Sequence, residues 1–416
     1  MDSIWRSSTL SASVYSEFGE CYLARFGVLD ELRISIDRLV ERKSLSLPVS
    51  AFPFVDRLTL KVPDDCCFGE FIRLPVLNRF RYVWFAEPLI GDERLLLLIK
   101  SPIFVNVSEW NFEDWGDSAD KKVRRDYGGV PTAHGAASLA EWNIMNSCRT
   151  LNMGVNEIGI DGIGALASSR NLGKLETLTC WDSEFGDEGL EVIGNAAGFP
   201  SLRSLGCGYN QLTAAGARSL FSGPVGRQLT SVALHSSDFG KGIGLPLDQL
   251  KESPLRHLHM NFCHLTADGF GELMASEAFP DLRSLSLKRN SISSGFGRVF
   301  DRSRPIRKID AGGNGIDDTA LAAALSQEGA SSLEWIDLSN NELTDRGVRE
   351  LAGCSRMAKL EVLHLTGNPI SDEAGRALRE SPHLRNLKLL YLSKKTISEE
   401  EQEQLRARFR DGLQLW

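Results

Sequence analysis

Three histidines stand where they could bind a metal ion. His257 and His259 are two residues apart, and residues at that spacing on a β-strand lie on one side, about 6.6 Å apart at the backbone. His235 precedes them in the chain. Imidazole nitrogens are common zinc ligands, so this pattern admits a metal-dependent enzyme site. No acidic fourth ligand is evident beside them, and histidines that contact a partner protein explain the same pattern.

Signatures of catalysis are otherwise missing from the sequence. It contains no G-x-x-x-x-G-K-S/T phosphate loop, no H-E-x-x-H zinc motif and no G-x-S-x-G nucleophile motif. The glycine-rich run Gly240-Lys241-Gly242-Ile243-Gly244 lacks the remaining features of either phosphate fingerprint. We therefore predict no enzyme activity, no cofactor, no catalytic residue and no metal site.

Composition narrows the class of protein further. The chain has 416 residues, of which 42% are hydrophobic and 25% charged, with a net charge of −8, which is typical of a folded soluble protein. The acidic balance disfavours a nucleic-acid partner. The longest apolar run, Leu95 to Ile99, is too short for a membrane span. None of the eight cysteines forms a C-x-x-C pair, and the N-terminus lacks a secretion signal. We therefore expect reduced thiols and a cytoplasmic location.

The elements that would position these residues come from an internal repeat. Leu360 to Ile370 follows the pattern L-x-x-L-x-L-x-x-N-x-I, and similar segments recur every 24–27 residues. We number the positions of each repeat from its first residue. The ten first residues are Cys148, Leu175, Leu202, Leu229, Leu255, Leu282, Ile306, Leu333, Leu360 and Leu387.

Each repeat predicts a short strand followed by a helix. The apolar fourth and sixth positions alternate with polar ones, as on a strand with one buried face. An Asn at the ninth position, as in Asn341, would satisfy backbone groups of the bend after the strand. Thr344 and Ser371 would cap helices. A Gly or Ala a few residues after the cap is expected to let the helix approach the sheet.

This pattern resembles the leucine-rich repeat family, and the long, helix-bearing repeat resembles its ribonuclease-inhibitor-like class. The resemblance covers 148–397. It implies an α/β solenoid shaped as a horseshoe, with a parallel sheet on the concave side and helices on the convex side. It also implies a scaffold that binds another protein, in some relatives as an inhibitor of an enzyme.

The domain organisation follows from where the repeats are regular. We predict an N-terminal cap at 1–28, ten regular repeats at 148–397 and a C-terminal capping helix at 398–416. Residues 29–147 are expected to form degenerate repeats, with Leu29, Val55 and Leu77 as first residues, or else a separate small α/β domain. Residues 110–131 resemble an excursion from the solenoid.

Partner-binding residues are expected on the concave face of the sheet, because alternate strand residues point away from the core. Aromatic and cationic residues there favour recognition, since such residues dominate interface hot spots. Packing between neighbouring strands would also account for the aromatic residues. The predicted partner-binding residues are Trp181, Asp182, Tyr209, His235, His257, His259, Phe262, Lys288, Arg289, Lys308, Trp335, His364 and Tyr391.

The sequence thus predicts a non-catalytic scaffold that binds a partner protein through the concave face, with no nucleic acid and no membrane involved. An inhibitor or immunity protein that blocks one enzyme is the first alternative. A metal-dependent enzyme site around His235, His257 and His259 is the second. The partner and the oligomeric state do not follow from the sequence.

Overall fold

The structure is a computed structural model that describes residues 21–25, 28–36, 56–62, 68–86, 90–113, 130–240, 247–301 and 304–416. The chain divides into two compact units, Met1–Gly206 and Cys207–Trp416, here called the N-terminal and C-terminal units. Most of the predicted cap at 1–28 and of the glycine-rich run at 240–244 lies outside the described residues. Within the described ranges, every helix is too short or too polar to cross a bilayer.

In the described part of the N-terminal unit there are eight strands and five α-helices. Strand β1 pairs antiparallel with β2, and β2 to β8 pair in parallel in chain order. The strands are β1 Cys21–Arg25, β2 Val28–Ser35, β3 Arg57–Lys61, β4 Tyr82–Ala86, β5 Glu109–Asn111, β6 Thr150–Asn152, β7 Thr177–Thr179 and β8 Ser204–Gly206. The α-helices are α1 Phe68–Phe71, α2 Asp92–Ile99, α3 Ala133–Glu141, α4 Gly159–Ala167 and α5 Gly186–Gly194, and 3-10 helices are Pro75–Arg79 and Asn143–Ser147.

The C-terminal unit repeats this organisation, with β9 to β16 paired in parallel in chain order. Its strands are β9 Ser231–Ala233, β10 His257–His259, β11 Ser284–Ser286, β12 Lys308–Asp310, β13 Trp335–Asp337, β14 Val362–His364, β15 Leu389–Leu392 and β16 Leu413–Leu415. The α-helices are α6 Ala214–Ser222, α7 Pro224–Gln228, α8 Ala267–Ala275, α9 Asp318–Leu325, α10 Asp345–Gly353, α11 Asp372–Glu380 and α12 Glu399–Phe409. The 3-10 helices are Leu247–Leu250, Ser293–Arg298, Glu328–Ser332, Ser355–Lys359 and Arg410–Gly412.

The core lies where the repeat predicts it. The fourth and sixth positions are buried in every regular repeat, for example Leu258 with Met260 and Ile336 with Leu338. Parallel pairing in register stacks these side chains from strand to strand, so each repeat buries its apolar face against its neighbours. The alternation of strand and helix confirms the predicted α/β repeat fold.

The ninth-position asparagines form a ladder of hydrogen bonds beneath the bends. Asn290 donates through Nδ2 to the Met260 and Leu287 carbonyls, both at 2.8 Å, and its Oδ1 accepts from the Cys263 and Leu265 amides, both at 3.0 Å. In the repeat that begins at Leu255, Cys263 occupies the ninth position instead of Asn, and its thiol donates to the Leu234 carbonyl at 3.1 Å. This confirms the predicted role of the position. Burial also raises the pKa of the Cys263 thiol to about 12, which keeps it protonated.

Helix starts connect successive repeats. Thr344 accepts from the Arg346 amide as an N-cap, and it also donates to the Asp318 carboxylate of the previous helix at 2.5 Å. The small residue after the cap makes room for that previous helix, because a Cβ on Gly162 would lie 3.2 Å from the Ala133 Cα and one on Gly347 would collide with Asp318. The sequence led us to expect that this small residue lets the helix approach the sheet, whereas at Gly162 and Gly347 it lets two neighbouring helices approach each other.

In the N-terminal third, the strands β2 to β5 continue the parallel pairing towards β6, which favours degenerate repeats over a separate domain. Two details differ from the prediction. Leu77 lies in a 3-10 helix, and the repeat begins instead at Phe80, with Val83 buried in β4. Trp110 is fully buried in β5, so the predicted excursion follows this strand, and residues 114–129 lie outside the described part. The division into caps and repeats stays a prediction.

At the C-terminal end, the predicted helix over 398–416 is shorter than expected. Ser398 caps it by accepting from the Glu401 amide at 3.3 Å, but the helix ends at Phe409. Arg410 has a positive φ of 50°, so the α-helix does not continue through it. Leu413 then pairs in β16 with Leu390.

Candidate functional site

The outward face of the C-terminal unit consists of the strand side chains that point away from the core. The strand register aligns them in two rows of neighbours about 4.8 Å apart. The third-position row is Ser231, His257, Ser284, Lys308, Trp335, Val362 and Leu389. The fifth-position row is Ala233, His259, Ser286, Asp310, Asp337, His364 and Tyr391.

Three rings of these rows form a contiguous patch, called here the aromatic patch: Trp335, His364 and Tyr391. His364 stacks on Tyr391 with ring centroids 3.7 Å apart and an interplanar angle of 11°, and Trp335 lies 5.3 Å from His364. The Lys308 ammonium lies 4.4 Å above the Trp335 ring. All three rings remain half-buried. The cross-strand packing is therefore real, and it leaves ring surface open to a partner.

Beside the aromatic patch, one lysine is held by two carboxylates. Lys288 Nζ lies 3.3 Å from Asp310 and 3.4 Å from Asp337. Burial lowers the pKa of Lys288, but the two carboxylates outweigh it and the net pKa is raised. Asp337 also accepts from the Ser339 amide at 2.8 Å. The two carboxylates thus neutralise Lys288, which the sequence predicts as a cationic partner-binding residue.

The three histidines of the predicted metal site come near one another but do not converge. The rings of His235 and His259 lie 5.9 Å apart at 86°, and His235 Nδ1 accepts from the Asn261 amide at 3.3 Å. Burial, then His235, His257 and Lys308, lower the pKa of His259 to about 4, so it is neutral at pH 7. Within the described ranges no group of three His, Cys, Asp or Glu side chains is arranged to hold a metal.

Four predicted binding residues occupy the eighth position, where the backbone is left-handed. Tyr209, Phe262 and Arg289 have φ of 61°, 56° and 54°, and Asp182 in the N-terminal unit has φ of 50°. The fold uses this conformation to continue the ladder, as when the Phe262 amide donates to the Lys288 carbonyl at 2.8 Å. A side chain there costs about 1–2 kcal/mol relative to glycine.

Two of these strained positions carry exposed rings. Tyr209 is 50% exposed and Phe262 43% exposed, although the equivalent Gly313 and Gly367 meet the same backbone requirement without a side chain. Phe262 borders an open hollow of about 440 Å³ with Thr213, Asp238 and other residues of the bends. Strain combined with exposure is not explained by stability and is characteristic of functional positions.

In the N-terminal unit, Trp181 has a structural contact that the sequence did not predict. Its Nε1 donates to Glu113 Oε1 at 2.5 Å, and the ring lies so close to Gly154 that a Cβ there would be 2.5 Å from Nε1. Glu113 is only 6% exposed and also accepts from Asn152 Nδ2 at 2.7 Å. The indole thus stabilises a buried carboxylate, beside any role in recognition.

Sequence reasoning also missed the charged row at the second position, one residue before each strand. Backbone hydrogen bonds connect Arg256, Arg283, Arg307, Glu334, Glu361 and Lys388 from repeat to repeat. Opposite charges pair in two places, Arg307 with Glu334 at 3.1 Å and Lys388 with Glu361 at 2.8 Å. Aligning the second residue of every repeat would have revealed this row.

Comparison with known proteins finds the repeat in part of the chain. A family model described as Leucine Rich repeat matches residues 329–352 and 356–378, two consecutive repeats that contain β13 with α10 and β14 with most of α11. Among solved structures, the chain is similar to a leucine-rich repeat protein of Leptospira interrogans, at 15% identity, over 96% of this chain and 94% of that chain, with a TM-score of 0.44.

The chain is also similar to an internalin of Listeria monocytogenes, at 18% identity, over 66% of this chain and 81% of that chain, with a TM-score of 0.36. No curated protein matches the chain. The ribonuclease-inhibitor-like subclass stays a prediction.

Proposed function

We propose that this chain, a leucine-rich repeat protein, binds a partner protein through the outward face of its C-terminal unit and catalyses no reaction. Stacked repeats present extended surfaces that suit the recognition of other proteins. The outward face in this proposal is the face of the sheet that the sequence predicts to be concave. A cytoplasmic location, the absence of nucleic acid and the further residues Trp181 and Asp182 stay predictions.

The observation that carries the proposal is the aromatic patch, and Phe262 is a further exposed ring on the same unit. Trp and Tyr side chains give large contact areas at low entropic cost and dominate interface hot spots. Lys308 above Trp335 places a cation at the edge of the patch. Rings that pack on one side and stay open on the other are rigid before the partner arrives, which lowers the entropic cost of binding.

Photo-crosslinking tests the location of the surface. Benzoylphenylalanine replaces Phe262 or Tyr391 in the full chain, and Arg346, an exposed residue of α10, serves as the control position. Irradiation in the native cells, followed by mass spectrometry, should give one dominant partner from both sheet positions and none from Arg346. The proposal fails if neither sheet position captures a protein, or if Arg346 captures the same partner equally well.

A variant that separates binding from folding completes the test. Phe262→Gly removes the ring and relieves the left-handed strain, so we expect unchanged or higher stability together with at least about tenfold weaker binding of the captured partner. Asn340→Gly is the matched control, because Asn340 occupies the same left-handed position with φ of 53° and carries no ring. If the partner is an enzyme, its activity with and without this chain distinguishes an inhibitor from a scaffold.

A further inference from the structure

Two adjacent arginines break the pairing of charges along the second-position row. The Arg283 amide donates to the Arg256 carbonyl at 2.9 Å, so the two residues are direct neighbours just before β11 and β10. Both side chains are exposed. Elsewhere in the row of this unit, Arg307 and Lys388 each face a carboxylate. Within the described ranges, neither Arg256 nor Arg283 has a carboxylate oxygen within 4.0 Å.

This arrangement costs stability. Like charges directly opposite on adjacent strands repel each other by a few tenths to about 1 kcal/mol, whereas Glu at either position would form the cross-strand pair seen at Arg307. His257 lies next to the two guanidiniums, and its pKa is lowered, first by burial and then by Arg256 and Arg283. The local field is therefore positive on a chain whose net charge is −8.

We propose that Arg256 and Arg283 form a clamp for the carboxylates of an acidic segment in the partner protein. The inference rests on the proposed function, since the clamp lies at the edge of the outward face that carries Lys308 and the aromatic patch. Guanidinium groups bind carboxylates through two parallel hydrogen bonds. Neighbouring strands are about 4.8 Å apart, so one carboxylate can accept from both arginines, or two from an extended segment can each take one.

A short acidic segment fits this surface better than a polyphosphate. Beyond Arg307 the same row continues with Glu334 and Glu361, and Asp310 lies on the outward face itself. A nucleic-acid strand carries one charge at every phosphate and would meet these carboxylates on leaving the clamp. A protein segment can place Asp or Glu only where the arginines are.

Fluorescence anisotropy with the full chain tests the clamp directly. The probe is a fluorescein-labelled peptide of alternating Glu and Ser, compared with the same peptide with Gln for Glu and with an oligothymidylate of matched charge. We expect the Glu peptide to bind, and to bind more weakly as salt rises. The double variant Arg256→Gln/Arg283→Gln should weaken binding about tenfold or more, as expected for the loss of charge-assisted hydrogen bonds.

The matched control is Arg346→Gln/Arg349→Gln on α10, which removes the same net charge from exposed residues that are paired with Glu350 and Glu373. It should leave peptide binding unchanged. The clamp is disproved if the Glu peptide does not bind, if the Gln peptide binds as well, or if both double variants bind alike. If the oligothymidylate binds more tightly than the Glu peptide, the ligand of the two arginines is a phosphate and not an acidic protein segment.

Failure of the clamp and failure of the proposed function remain distinguishable. The crosslinking at Phe262 and Tyr391 is repeated in the Arg256→Gln/Arg283→Gln background. A partner captured with unchanged affinity by this variant disproves the clamp and leaves the binding face in place. The melting temperature of the double variant should be equal to or above that of the wild type, because the repulsion between the two arginines is gone.

Discussion

Replacing Asn341 by alanine tests the bend on which the whole surface depends. Asn341 is 6% exposed, and its Oδ1 accepts from the Asn314 amide at 2.9 Å and the Ile316 amide at 3.0 Å. Its Nδ2 donates to the Ala311 and Ser339 carbonyls at 3.1 and 3.2 Å. Alanine fits the backbone here and removes all four contacts without adding any.

The four contacts do not contribute equally. The Ala311 carbonyl keeps the Asn314 Nδ2 donor at 3.0 Å, and the Ser339 carbonyl keeps the Gly313 amide at 2.8 Å. The Asn314 and Ile316 amides have no second acceptor in the described part of the chain. Two orphaned buried amides cost about 1–3 kcal/mol each, so we expect a loss of about 3 kcal/mol in the free energy of unfolding.

Hydrogen exchange is the decisive assay, because repeats are coupled mainly to their neighbours and can open locally. The Asn314 and Ile316 amides should lose protection in Asn341→Ala, together with a lower urea midpoint. Asn386→Ala is the control, since exposed Asn386 makes one contact, to the Ala358 carbonyl at 2.7 Å, and should change stability by less than about 0.5 kcal/mol. Unchanged protection of both amides would refute the proposed role of the asparagine ladder.

Three further outcomes are expected. Trp181→Phe removes the donor to the buried Glu113 carboxylate and should lower the free energy of unfolding by about 2 kcal/mol. The loss should be smaller when Glu113 is already replaced by Gln. Urea titrations that show the same loss with Glu113 and with Gln at this position would contradict the contact. His259 has its pKa lowered to about 4, against about 6.5 in the unfolded chain. The unfolded state therefore binds more protons between these values, and stability should fall as pH drops from about 6.5 to 4. NMR should show His259 titrating near the lower value, and His259→Gln should flatten the pH dependence; a midpoint near 6.5 would refute this. Asp345→Ala removes the acceptor of the Ser371 amide and hydroxyl, both at 2.7 Å, and should lower the free energy of unfolding by about 1 kcal/mol. Hydrogen exchange should become faster at the start of α11 and stay unchanged at α5. Unchanged exchange at α11 would refute the link between the two helices.

The regular repeats could be predicted from the sequence because one rule recurs in each of them. A strand buries its fourth and sixth positions, as at Leu285 and Leu287, and a buried bend needs side-chain donors and acceptors, which restricts the ninth position to Asn and small polar residues. These requirements are local. They are visible in the sequence of one repeat and become certain through repetition.

The first repeats were harder because the core positions there are filled by other residues. Phe80, Val83 and Phe85 fulfil the pattern in the repeat that contains β4, and Val107, Trp110 and Phe112 in the repeat that contains β5. The aromatic rings pack on one another, as Trp110 does on Phe112 at 5.7 Å and 3°. A search for leucine at fixed spacing therefore began one repeat three residues early and assigned Trp110 to a loop.

The role of an outward side chain depends on which residues of the same chain contact it, and the repeat pattern does not determine those residues. Trp181 and Trp335 both lie on outward positions of their units, and sequence analysis treats them alike. Trp181 is engaged by Glu113, a residue 68 positions earlier in the chain, whereas Trp335 contacts Lys308 and His364 of the adjacent strands. The same distinction separates Lys288, neutralised by Asp310 and Asp337, from the two arginines of the clamp.

Register is what converts such a repeat into a binding surface. Because every strand adds one residue to each row, a single substitution changes the charge or shape at one defined point and leaves the buried positions untouched. Arg256 and Arg283 illustrate this freedom, since their guanidinium groups are exposed while the core residues Leu258 and Leu285 remain fully buried. A cost that no core contact offsets, such as two adjacent arginines or a ring at the left-handed Phe262, is therefore the reason why we propose that a partner supplies the missing interaction there.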